Sequence, residues 1–130
     1  MGLLDQKTSQ VPELVTATIG EHRIQVVEAE EVEYQTGRPG LNVVYEIVDT
    51  PNAGHVYHRV MGLVEGDDER NADGMLRRIR AFKQAHGFGP DDPVEASALV
   101  GLTTFAFLNE EDTDTGKRNV IRSFSVSQAD

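Results

Sequence analysis

The chain has 130 residues, no cysteine and a formal charge of −10. That length suits one domain with its own core, the lack of cysteine excludes disulfides and thiolate metal sites, and the acidic balance argues against a generally basic nucleic-acid-binding surface. No apolar run approaches the roughly 18–20 residues that span a bilayer, and "MGLLDQKTSQVPEL" lacks the basic start and apolar core of a secretory signal, so a soluble, cytoplasmic protein is expected.

Residues 1–14 read as a flexible arm, 15–127 as a single domain and 128–130 as a short end. "HRIQVVEAEEVEYQ" (22–35) is long and β-branched, a strand that bends through a bulge near Ala29, with Ile24, Val26, Val32 and Tyr34 sharing a face. "TGRPG" (36–40) is a turn. "LNVVYEIVD" (41–49) alternates cleanly, with Leu41, Val43, Tyr45 and Ile47 on one side. After the turn "TPNAG", "HVYHRVMGL" (55–63) reads as a third strand, with Val56 and Val60 opposite Tyr57 and Arg59.

An acidic, turn-rich segment follows, and "MLRRIRAFKQAHG" then places Met75, Ile79 and Phe82 at helical spacing. Asn71 or Asp73 would cap its start and Gly87 would end it. "FGPDDP" is a turn, "ASAL" a short helical piece, and Leu102 to Leu108 a fourth strand. "EDTDTGKRN" (111–119) reads as a hairpin loop before a fifth strand, "VIRSFSVS" (120–127). The order β-β-β-α-β-β predicts a mainly β fold. It matches a five-stranded OB-fold, a Greek-key barrel with one α-helix between strands 3 and 4, although other α+β folds share that order.

Candidate chemistry is sparse. No serine sits in a nucleophile elbow and no glycine run has phosphate-loop spacing. His55 and His58 are three apart on a strand and point to opposite faces. The carboxylates of 65–74 and 111–116 lack the calcium-loop spacing and its closing glutamate, so they read as solvated loops. No catalytic residue, metal or cofactor is assigned, and an enzyme is not expected.

Aromatics and cations on strands remain. Single-stranded nucleic acid is held by stacking bases on rings and steering phosphates with cations. An OB-fold does this over strands 2 and 3 and the loops joining strands 1–2 and 4–5. On that plan the candidate DNA-binding residues are Tyr34, Arg38, Tyr57, Arg59, Lys117, Arg118 and Arg122. Tyr45, Phe82, Phe105, Phe107 and Phe124 are assigned to the core, and Arg77, Arg78 and Arg80 to the helix's solvated face.

The stretches "GEHRIQVVEAEEVEYQTGRPGLNVVYEIVDTPNAGHVYHRV", "RRIRAFKQAHGF" and "ALVGLTTFAFLNEEDTDTGKRNVIRSF" resemble the small phage-encoded OB-fold single-stranded DNA-binding proteins, a family long catalogued as a phage domain of unknown function. The resemblance runs from Gly20 to Phe124. It is carried by Ile24 and Val26, Gly37 to Leu41, "YEIVD", Gly54, the arginine-rich helix, and Asn119 and Ile121 in "GKRNVIRSF". It implies sequence-nonspecific binding of single-stranded DNA during phage replication or recombination, with phage replication or recombination proteins as further partners. A homodimer would enlarge the binding surface, and no membrane is involved. Only "SQAD" follows the last strand, so an acidic recruiting tail is expected to be absent, leaving 65–73 as the candidate partner surface. The alternative reading is an OB-fold protein-interaction module that does not touch DNA.

Overall fold

The computed structural model describes residues 2–9 and 11–125. Five strands form one antiparallel sheet: β1 (Gly20–Glu33), β2 (Pro39–Ile47), β3 (Val56–Met61), β4 (Thr103–Thr113) and β5 (Gly116–Ser125). Their order across the sheet is β3-β2-β1-β4-β5. One helix, α1 (Glu69–Ala85), lies between β3 and β4 in sequence, and a 3-10 turn at Ala96–Ala98 precedes β4. The expected end of the fifth strand at 126–127 and the chain end at 128–130 lie outside the described residues.

β1 curls the sheet by changing partners along its length. Its first part pairs with β4, from Gly20↔Leu108 to Gln25↔Thr103, while Ile24 to Glu33 pair with β2. The register shift between Val26 and Glu28 makes Val27 the bulged residue, two positions before the expected bulge. Its consequence is a change of face. Ile24 and Val26 are fully buried. Beyond the bulge Ala29 points inward, and Val32 and Tyr34 move to the outer face instead of continuing the row of Ile24 and Val26.

The curled sheet brings its two edges, β3 and β5, close together, with no ladder between them among the described residues. Side chains bridge the gap instead. Phe124 of β5 meets His58 of β3 edge-on at 5.2 Å and also packs against Tyr45, Phe82 and His86. Tyr45 is fully buried, as its alternation predicted, and its hydroxyl lies 2.9 Å from His86 Nε2. The other ring nitrogen of His86, Nδ1, donates to the Phe82 carbonyl at 2.7 Å. A carbonyl can only accept, so Nδ1 carries a proton; burial disfavours a second proton on the ring, which leaves Nε2 to accept from the Tyr45 hydroxyl.

The helix begins earlier than the spacing of its apolar residues suggested. Asp68, not Asn71 or Asp73, is the N-cap, its carboxylate accepting from the Asn71 amide at 2.8 Å. Asp73 pairs instead with Arg77 one turn on, at 2.8 Å. Gly87 follows the helix end with φ of +88°, a left-handed conformation that glycine takes without strain. Phe82 is buried, while Met75 and Ile79 are half-buried beside it.

Two expectations for the C-terminal hairpin are corrected. Residues 111–119 are not a loop: β4 and β5 run on to a two-residue connection at Asp114 and Thr115. Glu111 stands opposite Arg118 and Asp112 opposite Lys117, so opposite charges face each other across a ladder that composition alone reads as solvent-exposed turn. Phe105 and Phe107 are not core. The buried row of β4 is Thr104, Ala106 and Leu108, and Phe105 lies 48% exposed on the outer face. Thr104 takes its inward position because its hydroxyl donates to the carbonyl of Ala85 at 2.6 Å, satisfying an acceptor at the helix end.

From Val15 onward the N-terminal segment is tied to the body. Val15 exchanges backbone hydrogen bonds with Asn52 and Gly54, and the side chain of Asn119 both accepts from the Ala17 amide and donates to its carbonyl. Among the described residues no helix is long and apolar enough to cross a membrane.

Candidate functional site

The outer face of β1, β2 and β3 gathers three of the residues that sequence alone marked. Antiparallel pairing sets Asn42 beside Arg59 and Val44 beside Tyr57, so Arg59 and Tyr57 project outward on the same side of β3. Tyr57 is 64% exposed. Tyr34, moved to this face by the bulge in β1, lies flat over Gly40 and donates its hydroxyl to Asn42 Oδ1 at 3.1 Å. The Arg59 guanidinium sits 5.7 Å from the Tyr34 ring centroid, within cation–π range. Glu28 and Glu30 pair with Val44 and Asn42 from β1 on the same face. The cationic character therefore belongs to the β3 side, and the β1 side is acidic.

Arg38 does not join this group. Its guanidinium holds both oxygens of Asp67 at 3.0 and 2.8 Å, donates to the Gly62 carbonyl at 2.9 Å and touches the sulfur of Met75. Only 20% of the side chain is exposed. Asp67 also accepts from the Val64 amide, and Arg38 holds its carboxyl down to about 2. Arg38 thus pins the β1–β2 turn to the segment leading into α1, and it is not placed to receive a phosphate.

The other basic candidates divide between two places. Arg118 is ion-paired with Glu111 and Lys117 faces Asp112, both near the hairpin tip. Arg122 is the extra residue of a bulge in β5, where Phe107 pairs with Ser123 and Leu108 with Ile121. The bulge turns Arg122 onto the outer face, with its guanidinium 5.6 Å from the Phe107 ring centroid.

Two features escaped the sequence reading. Exposed Phe105 and half-buried Phe107 extend the aromatic surface along the outer face of β4, but in "TTFAFL" both alternating rows contain apolar residues, so periodicity cannot choose between them. Arg78, assigned to a solvated helix face, lines a cleft together with Arg59 and Arg122. Only the three-dimensional approach of β3, β5 and α1 brings these together. Among the described residues, no group of three or more His, Asp or Glu side chains converges to hold a metal ion.

The sequence of residues 4–119 matches the family described as "Protein of unknown function (DUF669)". The chain belongs to that family. No curated protein matches its sequence. The match spans β1 to β4 and enters β5, so it includes the whole Tyr34, Tyr57 and Arg59 face and ends just before Arg122.

Proposed function

We propose that this member of the family binds single-stranded DNA with little sequence preference, along the β3 side of its outer face, on an open form of the OB-fold. The observation that carries the reading is the exposed Tyr57 beside Arg59, with Tyr34 held flat under the same guanidinium. A ring with a free face stacks any base, and an unpaired guanidinium next to it meets the adjoining phosphate. The strand order and the helix between β3 and β4 support the OB assignment. Among the described residues no ladder joins β3 and β5, so the proposed barrel is an open one. The resemblance of the chain to phage single-stranded DNA-binding proteins supports a role in phage replication or recombination.

The site set narrows accordingly. Tyr34, Tyr57 and Arg59 form its centre, Arg122 beside Phe107 extends it, and Lys117 and Arg118 lie at the hairpin rim with acids opposite. Arg38 is withdrawn.

Fluorescence anisotropy with labelled oligo(dT) and a matched duplex tests the reading. Oligo(dT) is expected to bind more tightly than duplex, and log affinity is expected to fall with log salt by roughly 0.7 per phosphate neutralised. Tyr57→Ala is expected to weaken oligo(dT) binding by roughly 1–3 kcal/mol without lowering the melting temperature. No preference for single strands at low salt overturns the reading.

A further inference from the structure

Where β3 and β5 approach without pairing, α1 lies across the gap and leaves a cleft of about 480 Å³. Its floor is apolar and aromatic, built from Phe82, Ile121 and Phe124 with His58 beside them. Each of the three surrounding elements contributes one arginine to the lining: Arg59 from β3, Arg78 from α1 and Arg122 from β5. Among the described residues no aspartate or glutamate lines it, although the chain carries 22 acids against 12 lysines and arginines. None of the three arginines forms an ion pair among the described residues. By contrast Arg38, Arg77 and Arg118 each have a carboxylate partner.

Three permanently charged residues line one opening with no carboxylate among the described lining residues, so an anion that enters meets uncompensated positive charge. An apolar floor beneath them selects an anion with a flat apolar body, and the size of the cleft is that of a small-molecule site. We propose that the cleft takes one nucleotide of a bound single strand, its base against Phe124 and Ile121 and its phosphate among Arg59, Arg78 and Arg122. The inference rests on the single-strand reading and extends it. Arg59 belongs both to the outer face and to the cleft, so a strand stacked on Tyr57 reaches the opening over the β3 edge. The aromatic cluster of the core thereby gains a ligand-facing side, and the gap left by the open barrel becomes part of the binding path.

Two substitutions on the exposed surface of α1 test this without entering the core. Ala81→Leu fills the cleft from the helix side, and Arg78→Glu reverses one wall charge. Amide chemical shifts are followed with dTMP and with inorganic phosphate, and anisotropy with labelled oligo(dT). Expected are dTMP shifts centred on Arg78, Ile121 and Ser123, weaker shifts with phosphate alone, and loss of the dTMP shifts in Ala81→Leu. Both variants are expected to bind oligo(dT) roughly ten-fold more weakly, about the loss of one stacked base, with unchanged melting temperatures. Oligo(dT) binding that neither variant weakens overturns the cleft and leaves the outer-face reading standing. Cleft shifts with dTMP but no binding of oligo(dT) overturn delivery by a strand, and the proposed function with it.

Discussion

The ring of Tyr34 lies so close over Gly40 that a Cβ there would stand 2.2 Å from its Cε2 atom and 2.7 Å from its Cζ. Gly40→Ala must therefore push the ring off the strand, break its hydrogen bond to Asn42 and lift it from beneath Arg59. The expected cost is roughly 1–3 kcal/mol in chemical denaturation, together with weaker oligo(dT) binding. Unchanged affinity would remove Tyr34 from the contact surface. Asp67 gives a complementary test of Arg38. With its carboxyl held at about 2 instead of the ordinary 3.8, the stabilisation from the pair is complete above pH 3.8 and disappears as pH falls through about 2. Asp67→Asn is expected to lower the melting temperature and flatten that acid limb, with oligo(dT) affinity unaltered. Tighter binding on freeing Arg38 would restore it to the DNA-binding set. The sequence made Tyr57 and Arg59 legible, because alternation along a short strand sets their side against Val56 and Val60. It could not expose the engagement of Arg38, whose partner lies 29 positions away in a run of acids where nothing local singles out Asp67.

At the level of elements, β4 shows why faces are harder to read than strands. Its existence follows from an apolar, β-branched and aromatic run, but Phe105 and Phe107 outweigh Thr104 and Ala106 in apolar surface and still point outward. The helix decides the register: the Ala85 carbonyl at its end finds a donor in Thr104, and aromatic rings at 104 and 106 would compete for space with the cluster around Phe124. Thr104→Val keeps the shape and removes the donor, so a loss of about 1 kcal/mol is expected from denaturant unfolding. Phe105→Ser is expected to change stability by no more than about 0.5 kcal/mol. A loss several times larger would place Phe105 in the core after all. The bulges at Val27 and Arg122 act on the same link between sequence and face. Each adds one residue and reverses what alternation predicts beyond it, and neither carries a glycine or proline to announce it.

The whole molecule joins these local choices through the centre of the sheet, where Tyr45, His58, Phe82, His86 and Phe124 pack across the open side. Burial lowers the pKa of both histidines. Nearby His86 lowers His58 further, while the Phe82 carbonyl partly offsets the effect on His86. A histidine depressed on folding binds its proton more readily in the unfolded chain, so its contribution to stability is present above pH 6.5 and is lost as pH falls toward the lowered folded value. Protonated His86 would also deprive the Tyr45 hydroxyl of its acceptor inside the core. His22 acts in the opposite sense. Burial opposes its charge, but Asp49 and the Thr18 carbonyl raise its pKa overall, so its contribution is complete below pH 6.5 and is lost as pH rises through that raised value. Unfolding free energy is therefore expected to fall below pH 6.5 with a slope of up to about 2.7 kcal/mol per pH unit, the limit for two protons. His58→Gln is expected to reduce that slope by up to half, whatever it does to absolute stability. A wild-type curve that stays flat through this range would show that the two buried imidazoles do not hold the open side of the sheet together in their neutral form.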